Sequence, residues 1–74
     1  MDLAEVAARL DADEKLTVTY RFPVSSAYGQ VVYETRQAEV LDVAEEAQLV
    51  YVSHNGEVIW IKAEEVISIS EQDE

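Results

Sequence analysis

A hairpin in the second half of the sequence restricts the possible folds more than any other feature. Asn55-Gly56 stands between two apolar runs, residues 49–52 and 58–61. Asparagine and glycine adopt positive φ readily, as the favoured two-residue hairpin turn requires. Both runs are rich in β-branched and aromatic residues. The sequence therefore predicts two antiparallel strands joined by a tight turn.

The residues after this hairpin predict a short corner and one more strand. Residues 63–65 (Ala-Glu-Glu) interrupt the apolar run and are too few for an α-helix, so we expect a single 3₁₀ turn there. Ile67 and Ile69 then alternate with serines, as in a half-buried strand. Strand, tight turn, strand, 3₁₀ corner and strand are typical of the end of a small SH3-like or Sm-like barrel.

The N-terminal segment predicts a helix over residues 2–11. Asp2 and Glu5 have the spacing of a capping box. Leu3, Val6, Ala7 and Leu10 form one apolar stripe. Because so short a helix does not persist alone in water, it must pack on something. Two interpretations remain open: the helix caps the barrel, or it binds a partner or a second copy.

A strand followed by a loop is predicted next. Residues 16–22 alternate between apolar and polar side chains, as expected for a strand with one buried face. Pro23 should end this strand or confine it to an edge. Residues 23–30 lack any periodic pattern, so we interpret them as a loop that carries Tyr28, an aromatic side chain suited to contact a partner or to fold back onto the barrel.

Residues 31–43 are long for one strand, and the alternation of their apolar side chains changes phase. The change predicts a bulge or a sharp bend near residues 36–38, which would let the strand serve both halves of a barrel. The predicted fold class is mainly β: a five-stranded SH3-like or Sm-like barrel over residues 16–70 with a short N-terminal helix. It forms a single domain, residues 1–70, and residues 71–74 are predicted to be a disordered acidic tail.

Three short motifs are similar to those of the YolD-like family of small bacterial and phage proteins. They are the strand at residues 16–20 (LTVTY), the strand end at 40–43 (VLDV) and the closing strand at 66–69 (VISI), with Asn55-Gly56 between the last two. The resemblance spans residues 16–69, and the stretch at 23–30 departs from it. It implies an Sm-like barrel and an accessory or interaction role rather than catalysis.

The charge of the chain is strongly negative and unevenly placed. The formal net charge of the 74 residues is −11. Lys15, Arg21 and Arg36 give residues 15–37 a positive balance, while acidic residues dominate both flanks. Binding to a phosphate backbone depends on many lysines and arginines. Direct binding of nucleic acid by the monomer is therefore unfavourable, unless residues 15–37 form a basic rim in an oligomer.

The sequence offers no catalytic equipment, so we predict no enzyme, no cofactor and no metal site. It has no cysteine, and its single histidine, His54, stands at the predicted hairpin tip without an orienting partner. Its two glycines, Gly29 and Gly56, form no phosphate-binding loop. No apolar run reaches the length of a membrane span and no basic leader is evident, so we expect a cytoplasmic protein.

These features favour a small acidic module for protein interaction or self-assembly. Trp60 is expected in the core; if it faces outward with Tyr51, the two rings form a patch for a partner. The candidate contact residues are Tyr28, Tyr51, Trp60, Arg21 and Arg36. One alternative is an acidic inhibitor that mimics nucleic acid and blocks a DNA- or RNA-binding protein. A further alternative is an Sm-like RNA-binding oligomer.

Overall fold

One antiparallel sheet and one short helix make up the fold. The computed structural model describes residues 2–71. Antiparallel pairing joins the strands in the order β4-β3-β2-β1-β5, which confirms a mainly β fold with one N-terminal helix. Of the predicted tail, residues 72–74 lie outside the described residues and Glu71 ends β5. The elements are α1 Leu3–Asp11, β1 Leu16–Ala27, β2 Gln30–Ala44, β3 Leu49–His54, β4 Glu57–Lys62, a 3₁₀ turn Ala63–Glu65 and β5 Val66–Glu71.

The predicted hairpin and corner are both confirmed. Asn55 and Gly56 have φ angles of 53° and 81°, as a two-residue turn with two left-handed positions requires. Their turn joins β3 to β4, and Tyr51 lies directly opposite Trp60 in the register. The 3₁₀ turn follows β4 without a break and leads into β5.

Helix α1 begins where the sequence predicts and packs on its own sheet. The Oδ1 atom of Asp2 accepts hydrogen bonds from the backbone N–H groups of Ala4 and Glu5, at 3.0 and 3.3 Å. Leu3 and Val6 are buried among the core residues of the sheet. The helix therefore covers its own sheet, and its apolar stripe is packed against the core. No helix among the described residues is long and apolar enough to cross a membrane.

The hydrophobic core lies between α1 and one face of the sheet, which we call the inner face. The opposite, outer face carries the neighbouring side chains of each strand. No charged side chain is buried among the described residues. The buried core residues are Leu3, Val6, Leu16, Val18, Tyr20, Ala38, Val40, Val50, Val52 and Ile61.

The prediction of a loop at residues 23–30 is wrong. Strand β1 continues to Ala27, and only Tyr28 and Gly29 form the turn before β2. Their φ angles, 53° and 76°, match those of the Asn55-Gly56 turn. Pro23 is tolerated because β5 pairs with β1 only as far as Tyr20, so Pro23 lies on an open edge, just before an irregularity in the register with β2.

The extended β1–β2 hairpin projects from the rest of the sheet as a two-stranded ribbon, residues 21–36. Strand β3 pairs with β2 only from Glu39 onward, so within residues 2–71 no third strand flanks the ribbon on either side. Every residue from 23 to 35 is exposed. The molecule is accordingly elongated, with extents of 45 × 29 × 19 Å.

The predicted bulge in β2 exists, but its position near residues 36–38 is wrong. Pairing with β1 is regular there, and the irregularity falls between Val40 and Asp42, opposite β3. The apolar alternation at residues 31–35 misled the prediction because both faces of the ribbon are exposed to solvent. Alternation identifies the core face only where one face is buried.

Strand β5 also departs from its predicted alternation. Ile69 pairs with Val18 and packs against the core. Ile67 falls at an irregularity in the pairing with β1 and is 59% exposed. The two isoleucines therefore do not share a buried face.

Candidate partner-binding site

Trp60 and Tyr51 form a pair on the outer face of the β3–β4 hairpin. They lie directly opposite one another, so their side chains emerge on the same face. The inner face at this point is occupied by Val50, Val52 and Ile61. Trp60 is 60% exposed, so the prediction that it lies in the core is wrong. The alternative prediction, in which Trp60 faces outward together with Tyr51, describes their arrangement.

Trp60 lines a cleft that brings together two strands that are not neighbours in the sheet. Strand β4 is an edge strand and β1 lies three positions away in the strand order, yet both contribute to this cleft of about 290 Å³. The sheet must therefore curl enough to bring β4 beside the start of the ribbon. We call this site the aromatic cleft. Its lining residues are Arg21, Phe22, Pro23, Tyr33, Trp60, Ile61, Lys62 and Glu65.

Arg21 is held in the aromatic cleft by two partners from distant parts of the sequence. Its Nε donates to Glu65 Oε2 at 2.5 Å. Its guanidinium carbon lies 4.9 Å from the centre of the Tyr33 ring. The hydrogen bond and charge of Glu65 raise the pKa of Arg21 above its usual value. Arg21 is therefore a fixed cation that orders one wall of the cleft.

Arg36 is on the other face of the ribbon, apart from the aromatic cleft. Its guanidinium carbon lies 4.0 Å from the centre of the Phe22 ring, and its Nε donates to the carboxylate of Glu34. Both arginines predicted to contact partners are thus paired with carboxylates. Neither supplies the uncompensated positive charge that a nucleic-acid surface needs.

Lys62 is the second cation of the aromatic cleft. It lies on the edge strand β4, and its side chain makes no ion pair with any residue of the described part of the chain. The rings of Tyr33 and Trp60, a proline and an unpaired ammonium group thus surround one open cleft, whereas the Phe22 ring packs toward the core beneath Arg36. Such a surface suits an extended polypeptide that carries apolar side chains and a carboxylate.

Tyr28 is far from the aromatic cleft, at the tip of the ribbon. It is fully exposed and holds a left-handed backbone conformation that tyrosine seldom adopts. The ribbon carries four further exposed apolar side chains, each 45–50% exposed: Val24, Val31, Val32 and Tyr33. Together they make the ribbon the most apolar exposed part of a highly charged molecule.

The sequence did not identify Phe22, Pro23 or Tyr33 as site residues, because Pro23 was predicted to end a strand and the other two to lie within strands of alternating pattern. The placement of charged residues along the sequence contained a signal for this surface. Residues 22–33 are twelve consecutive positions without a charged side chain, in a chain of net charge −11. An uncharged run in such a chain points to a surface kept free of charge.

The remaining titratable side chains do not converge on a reactive centre. His54 lies at the hairpin tip, 3.3 Å from the amide of Asn55. Residues 2–71 hold no group of three or more acidic or histidine side chains placed to bind a metal ion. The acidic residues of the described chain are distributed among the helix and its exit, both faces of β2, the turn at residues 45–48, strands β4 and β5, and the 3₁₀ turn. This distribution lends little support to mimicry of nucleic acid.

A second depression lies between the turn at residues 45–48 and the 3₁₀ turn, with a volume of about 390 Å³. The backbone N–H of Ala63 donates to the carbonyl oxygen of Gln48 across it, at 2.9 Å. No aromatic ring lines it. The aromatic cleft therefore has more of the side chains that usually anchor a partner than this depression has.

No protein-family model, no curated protein and no solved structure matches this chain. The assignment of a function therefore depends on the geometry of the chain itself.

Proposed function

We propose that the chain is a non-catalytic protein-interaction module that binds an extended polypeptide segment in the aromatic cleft. The observation that carries this proposal is the convergence of Tyr33 and Trp60 with the unpaired Lys62. Aromatic rings are the usual anchors of protein interfaces, because they bury much apolar area with little loss of conformational freedom.

The sheet of the proposed module curls into an SH3-like or Sm-like barrel. The strand order β4-β3-β2-β1-β5 and the 3₁₀ turn between β4 and β5 support this architecture. The Arg21–Glu65 ion pair and the shared lining of the aromatic cleft support it further, because both join the β4–β5 corner to β1. The resemblance to YolD-like proteins points in the same direction, toward a bacterial or phage accessory protein.

The chemistry of the partner follows from the charges at the aromatic cleft. Arg21 is already neutralised by Glu65, whereas Lys62 is free to pair with an acidic side chain of the bound segment. A polyanion is unfavourable because the whole chain carries a net charge of −11. We therefore expect a segment of apolar or proline residues with one or two carboxylates, rather than an oligonucleotide.

Selection from a displayed library of random peptides tests this proposal. Trp60 is the single tryptophan of the chain, so binding should shift its fluorescence to shorter wavelength as the ring leaves water. We expect Trp60→Ala to weaken binding of the selected peptides at least about tenfold, as loss of a central aromatic anchor does. A labelled peptide and its fluorescence anisotropy provide the readout for this variant.

Val58→Ala is the matched control, because Val58 is on the same strand and 67% exposed but does not line the aromatic cleft. It should leave the affinity within about twofold. Lys62→Gln should weaken binding and reduce its dependence on salt. If no peptide distinguishes the natural chain from the Trp60→Ala variant, the proposed site is wrong.

A further inference from the structure

The two long edges of the ribbon are not equivalent. On the β1 side, Pro23 removes a backbone donor, and an irregularity follows before Ser25. On the β2 side, nine residues from Gln30 to Ala38 have no strand beside them among the described residues, because β3 begins its pairing at Glu39. Natural proteins usually protect such an edge with proline, lysine or a covering element. Among the described residues, the β2 edge has no proline, lysine or covering element, and its two charged side chains, Glu34 and Arg36, pair with each other.

We propose that the β2 edge pairs with the β2 edge of a second copy of this chain. The two strands run antiparallel about a twofold axis and join the ribbons into one four-stranded sheet. Pairing of a segment with itself is closed, so the product is a dimer and not a fibre.

The distribution of charge favours a second copy of this chain as the partner at the β2 edge. Two molecules of net charge −11 repel each other over most of their surfaces. The ribbon is the exception, since residues 22–33 carry no charge. Glu34 and Arg36, the charged residues that flank the axis on β2, neutralise each other within one chain. A second copy can therefore approach at the ribbon without bringing like charges into contact.

The end of β3 limits the register of this pairing. Ser53 pairs with Glu39, so the next residue, His54, lies level with Ala38. A strand beside β2 must therefore end before it reaches Ala38. Residues 30–36 satisfy this condition when Tyr33 lies on the twofold axis and Gln30 of one copy faces residue 36 of the other.

Of the two neighbouring symmetric registers, with the axis at residue 32 or at residue 34, the one at residue 34 is less favourable. It places Glu34 on the axis, directly opposite the same residue of the second copy, and like charges in directly opposite positions destabilise a sheet. It also moves the Tyr28-Gly29 turn of the second copy to the level of residues 39–40, where β3 already pairs with β2. An axis at Tyr33 avoids both the contact between like charges and the overlap with β3.

This register also provides a contact for Tyr28. With the axis at Tyr33, Gln30 of the second copy faces residue 36, and the Tyr28-Gly29 turn that precedes it lies next to the end of β3. A fully exposed aromatic side chain in a left-handed conformation thereby gains a surface to cover it. The interface remains smaller than the roughly 800 Å² per partner of a standard complex. We therefore expect a dimer that dissociates on dilution.

Light scattering on a size-exclusion column, from millimolar to low micromolar protein, tests the dimer. Val31→Lys places a charge on the proposed edge and should raise the concentration of half-dissociation at least about tenfold. Val24→Lys is the matched control: it adds the same charge to the other ribbon strand at a similar exposure, 47% against 50%. It should change that concentration by less than about threefold. A monomer at every concentration, a larger oligomer, or equal effects of both variants would overturn the proposal.

Disulfide formation tests the register. The chain has no cysteine, so a single introduced cysteine can bond only to its own counterpart. We expect Tyr33→Cys to give a covalent dimer under mild oxidation, because residues facing each other across antiparallel strands have Cα separations that a disulfide can span. Glu34→Cys should bond much more slowly. Preferential bonding at residue 34, or at neither residue, would overturn the axis at Tyr33.

Added sodium chloride separates this dimer from an ion-paired one. Screening reduces the repulsion between two acidic copies, so the proposed dimer should tighten as salt increases. A dimer that dissociates in salt would be held by opposite charges and would overturn the pairing proposed here. Peptide binding at the aromatic cleft is tested separately with Trp60→Ala, a substitution that leaves the β2 edge unchanged.

Discussion

Tyr20 carries a buried hydroxyl without a hydrogen-bond partner among the residues that the structure describes. Its side chain is fully buried on the inner face of β1. Burying an unpaired hydroxyl costs about 1–3 kcal/mol, so its removal relieves a cost instead of breaking an interaction. We expect Tyr20→Phe to keep or raise the free energy of unfolding, by up to about 1 kcal/mol, in urea denaturation.

Val18→Ala, two residues away on the same face, provides the contrast. It should lower the free energy of unfolding by about 2 kcal/mol, because it leaves a cavity in the core. A loss above about 1 kcal/mol for Tyr20→Phe would mean that the hydroxyl has a partner in solution.

At the scale of elements, the two turns show why one hairpin was predicted and the other missed. Tyr28-Gly29 and Asn55-Gly56 have nearly the same φ angles. Asparagine tolerates the left-handed conformation and therefore signals the turn, whereas tyrosine adopts it at a cost of about 1 kcal/mol and gives no signal. The tertiary pairing of twelve-residue β1 with β2 outweighs this local preference.

Helix α1 depends on its cap to a degree that can be measured. Asp2→Ala removes the acceptor of two backbone N–H groups and should lower the free energy of unfolding by about 1 kcal/mol. Asp2→Asn removes the same charge but keeps a capping oxygen, so it should stay within a few tenths of a kcal/mol of the natural chain. Equal losses in the two variants would show that charge, and not capping, is responsible.

At the scale of the whole molecule, unbalanced charge opposes the compact state. The chain has 16 acidic residues against 5 lysines and arginines. Because residues 22–33 are uncharged, the acids are concentrated on the remainder of the molecule, where they repel one another. Screening acts over about 10 Å at 0.1 M salt, a distance that covers much of so small a protein.

We therefore expect sodium chloride to raise the melting temperature measured by circular dichroism. Chloride is preferable to sulfate, because sulfate stabilises proteins through exclusion from their surfaces as well. A melting temperature that falls as salt increases would show that ion pairs such as Arg21–Glu65 stabilise the fold more than the net charge destabilises it.

Local residue chemistry alone was enough to predict the capped helix, the Asn55-Gly56 hairpin, the 3₁₀ corner and the mainly β class. Each depends on neighbours within a few positions: Asp2 caps a helix that starts at the next residue, and Asn55 and Gly56 supply the positive φ angles of their own turn. The sequence also named Trp60 and Arg21, two of the residues that line the aromatic cleft.

Only the tertiary structure decided which face of each strand is buried and which distant residues meet. Glu65 lies 44 positions from the arginine that it neutralises, and Trp60 reaches the ribbon only because the sheet curls. The ribbon itself exists because β3 and β5 stop short of its end, and strand length relative to neighbouring strands is a property of the assembled sheet. Contacts of this kind depend on how the whole chain packs, which no local pattern encodes.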